Sequence, residues 1–197
     1  GSLESLKQAK QPPRMGYEDA GSGQHLFALA VESGLGAKFN HIFGYKGGGD
    51  IDLALERKEL DGRVANLNTY LVQKPNWIKE GGFVKVLVQE GAVAAGGKII
   101  RDTRVPQVPT AVELFPTPKV KQLLDFGSIG NILAKIYVAP PKTPEDRVNI
   151  LRQAFLNTLK DPALIAEAQK LKIDVTAMGA KEVEALVKDA LVVDPEA

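Results

Sequence analysis

The 197-residue chain has no cysteine. That excludes disulfides, thiolate metal centres and a cysteine nucleophile. Histidine is scarce as well: His25 and His41 are the two present, and neither has acidic neighbours at metal-ligand spacing, so no metal is expected. No apolar run approaches the roughly 20 residues of a membrane-spanning helix. A G-x-S-x-G nucleophile elbow is missing, and with it the usual sign of a serine hydrolase. Neither charge sign is in excess, since 25 Lys and Arg face 24 Asp and Glu for a net +1. A nucleic-acid partner would need a basic stripe, so none is expected. No secretory leader is visible, and the opening Gly1-Ser2 reads as a cloning remnant. Internal repeats and low-complexity tracts are absent too.

Short apolar runs alternating with amphipathic stretches mark a chain of βα units, hence an α/β fold. Strands are expected at residues 14–18, 38–43, 63–67 and 83–89, in one mainly parallel sheet flanked by helices. The valine-rich 83–89 run carries the strongest strand pattern. Helices are expected over 23–33, with Leu26, Phe27, Ala30 and Val31 on one face and Gly34 and Gly36 ending it, and over 50–58. A further helix over 69–79 should break at Pro75. Residues 91–118 read as a long Gly- and Pro-rich loop holding a short helix at 111–114, followed by a helix at 119–126. Beyond a short strand at 136–139, Thr143 is expected to cap a helix reaching about residue 159. Asp161-Pro162 opens the next, to about 171. A strand at 173–176 and a helix at 181–191 close the chain.

In open α/β sheets, ligands sit beyond the carboxyl ends of strands, beside helix N-termini whose free N–H groups attract anions. Two loops have suitable chemistry. The first runs from Ala20 through Gly21, Ser22 and Gly23 to His25; the second comprises Gly44, Tyr45, Lys46, Gly47, Gly48 and Gly49. Glycines allow close backbone approach, Ser22 and Tyr45 add hydroxyls, and Lys46 adds a charge. Asn66 brings an amide to the same edge. His25 opens a helix and stands either to touch a ligand or to cap, whereas His41 lies in a strand as a structural residue. Nucleotide motifs fail on inspection. Gly21-Ser22-Gly23 lacks the third glycine, where Leu26 stands. Gly96-Gly97-Lys98 has Ala92 and Ile99 in place of the phosphate-loop Gly and Ser or Thr. Asp50 and Asp52 point to different helix faces and cannot work as an acid pair.

Taken in order, these stretches resemble the Bug/TctC family, the receptors of tripartite tricarboxylate transporters. The resemblance rests on residues 21–26, 43–48, 62–66, 105–110 (Val-Pro-Gln-Val-Pro-Thr), 139–144 and Asp161-Pro162. No single motif is specific, but six in register over nearly the whole chain are. Gly44 departs from the family's proline before Tyr-Lys-Gly-Gly, and residues 89–104 differ from its usual run.

That resemblance implies a type II periplasmic-binding fold in which two α/β lobes close on a small carboxylate. The receptor would be periplasmic, would deliver its ligand to membrane permease subunits, and would be neither an enzyme nor dependent on a cofactor. Residues 1–130 would form the second lobe with most ligand-facing loops, and 131–197 the C-terminal elements of the first. The family's opening strand and Gly-rich loop are missing from these residues, so the chain reads as a fragment. A one-walled cleft should not bind a carboxylate tightly. Val138, Leu151, Phe155 and Leu159 should expose an apolar surface that favours dimerisation or a segment swap. Competing readings are a Rossmann-like nucleotide-dependent enzyme and a non-transport sensor module on the same fold.

Overall fold

A computed structural model describes residues 2–93, 99–133, 136–171, 175 and 177–191. The chain divides into two compact units, residues 1–131 and 132–197.

In the first unit a short helix, α1 (Leu3–Lys7), precedes strand β1 (Arg14–Gly16) and helix α2 (Gly23–Leu35). Strand β2 (Asn40–Ile42) and helix α3 (Gly48–Glu56) repeat the βα unit. The strands pair in parallel, Met15 opposite His41 and Gly16 opposite Ile42. A third segment joins through one parallel bridge between Met15 and Gly62. Gly16 is where the sheet and α3 meet: a Cβ there would lie 2.4 Å from Leu60 Cδ1 and 3.1 Å from Ile51. Only glycine permits that approach.

Two further helices, α4 (Leu67–Gln73) and α5 (Pro75–Ile78), are separated at Pro75 as the sequence demands. Strands β3 (Ala92–Val93) and β4 (Ile99–Ile100) pair antiparallel, within a stretch that the sequence presents as loop. Helix α6 (Ala111–Leu114) matches its expected bounds, and α7 (Pro118–Leu133) runs seven residues past the expected end at 126. The Thr110 side chain and Glu113 cap α6 reciprocally.

The parallel sheet is smaller than expected. Residues 63–67 form no strand, because Asn66 already caps α4. Residues 83–89 form none either, although they are the valine-rich run. Among the described residues their one ladder contact is Gln89 with Thr110. The adjoining 105–110 stretch contains Pro106 and Pro109, which have no N–H to donate, so a ladder cannot extend.

The main core gathers Tyr17, Phe27, Ala30 and Val31 with Phe39, Ala111, Val120 and Leu124. Leu26, expected on that face, is half-buried. A second cluster of Ile51, Ala54 and Leu60 sits under α3. Gly36 ends α2 in the left-handed conformation, φ 64°, while Gly34 lies within the helix against Phe115.

The second unit contains helices α8 (Glu145–Leu159), α9 (Pro162–Lys170) and α10 (Ala180–Leu191). Asp161 caps α9, its carboxylate accepting from the amides of Ala163 and Leu164. Thr143 does not cap α8: its hydroxyl donates to the Pro140 carbonyl at 2.7 Å, and Pro144 holds the cap position without a side-chain bond. Residues 136–139, expected as a strand, have no regular secondary structure. The expected strand at 173–176 falls mostly outside the described residues.

Candidate functional site

β1, β2 and the Gly62 segment run in the same direction, so their carboxyl ends reach one edge. Each end then turns into a helix. β1 leads through residues 17–22 into α2, β2 through 43–47 into α3, and the third segment through 63–66 into α4. Three helix N-termini follow one sheet edge because every unit has the same βα sense.

Backbone bonds lock the loops together. Tyr17 donates to the Ile42 carbonyl at 2.9 Å, and Gly44 to the Glu18 carbonyl at 3.1 Å, so the first two loops lie side by side. Arg63 ties the third segment to α3: Nη1 donates to the Gly48 carbonyl at 2.7 Å and to Asp52 Oδ1 at 3.0 Å. Asp52 also accepts from the Tyr70 hydroxyl at 2.7 Å and pairs with Lys74 at 3.1 Å. Burial opposes ionisation of Asp52, but the bonds from Tyr70, Lys74 and Arg63 outweigh it and hold the carboxyl below its ordinary value. Lys74 in turn lies 3.7 Å from the Trp77 ring centroid. Asp50, by contrast, is exposed, so the two aspartates of α3 do face differently.

The candidates named from sequence occupy this edge in different ways. Ser22 caps α2, its Oγ accepting from the His25 amide at 3.3 Å and donating to the Asp19 carbonyl at 3.0 Å. Gly23 begins the helix, and Gly21 precedes the cap at φ 79°. Asn66 caps α4 by accepting from the Asn68 amide at 2.9 Å. Gly47 stands at the cap position of α3 with no side-chain bond, so the first amides of α3 keep no capping acceptor. Gly48 opens that helix, Lys46 is exposed, and Tyr45 is half-buried beside the Ile51 cluster.

His25 and His41 enter one aromatic group. The His25 ring stands edge-on to Tyr17, His41 and Phe43, with centroids at 5.3, 4.9 and 4.9 Å. His41 Nδ1 lies 3.1 Å from the Tyr17 hydroxyl. Its Nε2 is 3.3 Å from Glu32 Oε2 but lacks hydrogen-bonding geometry to it. Buried Glu32 also accepts from the Phe39 amide. Burial, followed by the charge of Glu32, pushes the Tyr17 hydroxyl above its ordinary value.

Sequence reasoning passed over Arg63, Asp52, Tyr70 and Lys74 as a network. Arg63, Tyr70 and Lys74 lie 11, 18 and 22 residues beyond Asp52, so no local pattern links them to it; the one sequence sign was a charged residue on the buried face of α3. A separate depression of about 470 Å³ lies at the far end of α2, beside Gly36, Lys38 and Lys119. Among the described residues no group of His, Asp and Glu is arranged to hold a metal ion. No helix among them is long and apolar enough to cross a membrane.

No curated protein sequence matches the chain. A solved structure, the ligand-free crystal structure of a TctC solute-binding protein from Polaromonas, superposes with a TM-score of 0.56 at 23% identity. The match covers 96% of this chain and 57% of that one, so the chain spans little more than half the relative's length. That likeness shows the fold, a type II periplasmic-binding α/β architecture. The family model for the tripartite tricarboxylate transporter family receptor matches residues 3–194. With the model matched from end to end of the described chain, this protein belongs to the TctC family of tripartite tricarboxylate transporter receptors, a family of solute-binding receptors and not of enzymes.

Proposed function

We propose that this chain supplies the ligand-gripping edge of a periplasmic receptor for a small carboxylate, which the loaded receptor delivers to the membrane permease of a tripartite transporter. One observation carries the reading: three parallel segments end at a single edge, and of the three helices that follow, α3 alone has no side chain capping its first turn. Uncapped amides beside a partial positive charge suit a carboxylate. Gly47 and Gly48 let an anion approach the backbone, Lys46 adds a cation, and Tyr45 a hydroxyl. Gly21, Ser22, Gly23, His25 and Asn66 shape the remainder. In this reading residues 1–130 are the second lobe and 131–197 belong to the first. The division of the chain near residue 131 supports that assignment. Family membership supports the transporter role and the periplasmic location.

Amide chemical-shift mapping of the chain with millimolar mono-, di- and tricarboxylates tests the reading. Shifts are expected at Gly47, Gly48 and Gly49, and should weaken in Lys46→Ala. Shifts confined to the Lys38 and Lys119 depression, or a response to ATP or NAD and to no carboxylate, would overturn it.

A further inference from the structure

We propose that His25 is a positioning residue: its neutral ring holds the backbone of residues 21–23 in the shape the ligand edge requires, and its protonation releases that loop. The inference deepens the carboxylate-receptor reading and rests on it for the ligand. The dependence of the loop on His25 stands separately.

The Gly21 amide donates to His25 Nδ1 at 3.0 Å. An amide N–H cannot accept, so Nδ1 must offer its lone pair and the ring proton must sit on Nε2. A second bond closes the same turn, from the His25 amide to Ser22 Oγ at 3.3 Å. Ser22 Oγ also donates to the Asp19 carbonyl at 3.0 Å, but no other side chain bonds the Gly21 amide among the described residues. Gly21 has φ 79°, and among the described residues no atom beyond its chain neighbours lies within 4 Å of where its Cβ would stand, so side-chain packing does not fix it. Adding a proton to Nδ1 sets donor against donor and removes the Gly21 bond.

The groups facing the ring favour the neutral form. Tyr17, just past β1, and His41, within β2, face it, and Glu32 of α2 lies behind His41. Burial and the neighbouring His41 hold His25 below its ordinary value, against an opposing pull from Glu32. Near neutral pH the ring is therefore uncharged and the loop is set. A ligand carboxylate meets the backbone arranged by His25, not an imidazolium.

The test is NMR on the whole chain with labelled histidine, between about pH 8 and about pH 5, which spans the ordinary histidine range. His25 should show a bare Nδ1 and a protonated Nε2, and the Gly21 amide resonance should titrate with the ring. In His25→Asn the side-chain oxygen takes the place of Nδ1 but does not titrate. The Gly21 amide should then stay protected and independent of pH. In His25→Leu its exchange should speed up about tenfold, as for one lost hydrogen bond. With succinate as probe, affinity should drop more steeply on acidification in the native chain than in His25→Asn. An Nδ1–H tautomer, or a Gly21 amide indifferent to the ring titration, would overturn the proposal. So would succinate affinity that rises on acidification in the native chain alone, the mark of a charged ring contacting the anion. Failure of succinate to bind at all, with the tautomer and the Gly21 titration as expected, would count against the carboxylate reading and leave the loop mechanism supported.

Discussion

Arg63 reaches 2.7 Å to the Gly48 carbonyl, bonding a segment that is not a strand to the first turn of a helix 15 residues earlier. Its side chain is 9% exposed and also meets Asp52. Together with the bonds from Tyr70 and Lys74 to Asp52, this guanidinium ties the loop from residue 44 to 48 to the segment that carries Asn66. Replacing Arg63 with Met should destabilise the chain by about 3 kcal/mol, the usual cost of unpairing a buried charge, lessened because Asp52 retains Lys74 and Tyr70. Arg63→Lys should fall between, since an ammonium cannot span both acceptors. Urea unfolding followed by circular dichroism measures both; equal stability of Arg63→Met and native chains would deny the network its role.

Neighbouring glycines of α3 should respond in opposite senses. A Cβ on Gly48 would stand 3.1 Å from Arg63 Nη1, whereas one on Gly49 would meet nothing. Gly49→Ala should therefore be neutral or stabilising by about 0.5–1 kcal/mol through reduced chain entropy. Gly48→Ala should lose stability, and should lose less of it when Arg63 is already Met. A double-mutant cycle on thermal unfolding reads that coupling.

Acid should weaken the first unit in two stages. His25 is held below its ordinary value of 6.5 in the fold, so its contribution is complete above that pH and falls as pH drops from 6.5 toward the lowered value. Asp52 is held below 3.8, so its contribution is present above that value and is lost as pH falls through 3.8 toward the depressed one. Denaturant midpoints measured against pH should show both steps. His25→Asn should abolish the first step, and Asp52→Asn should shrink the second, to which Asp61 and Asp102, also held below their ordinary values by Arg14 and Arg104, contribute as well.

The apolar surface of the second unit should drive self-association. Val138 is 81% exposed, Leu151 61% and Phe155 38%, while Leu159 is half-buried. Tyr137, 83% exposed, lies against Phe155 with ring centroids 4.9 Å apart and planes tilted by 50°, which extends the patch. Sedimentation velocity should show concentration-dependent dimers, reduced in Leu151→Lys. Strict monomers at high micromolar concentration would contradict this.

The sequence by itself determined what depends on neighbours along the chain. Capping at Asp161 and Thr110, the break at Pro75, the left-handed end at Gly36 and the βα alternation are each set within a few residues, by side-chain oxygens, a missing N–H or a missing Cβ. The ordered motifs also carried family membership, which the match over residues 3–194 bears out. Tertiary structure decided what needs a partner from elsewhere. The valines of 83–89 have strand propensity, but a ladder needs donors opposite, and Pro106 and Pro109 withhold them. The aspartate at 52 reads as an ordinary helix charge until Arg63, Tyr70 and Lys74 converge on it. His25 reads as a ligand contact or, more readily, a cap until the Gly21 amide is found at Nδ1. In each case the deciding group is brought near by chain folding, and hydrogen bonds act over about 3 Å of space, whatever the separation in sequence.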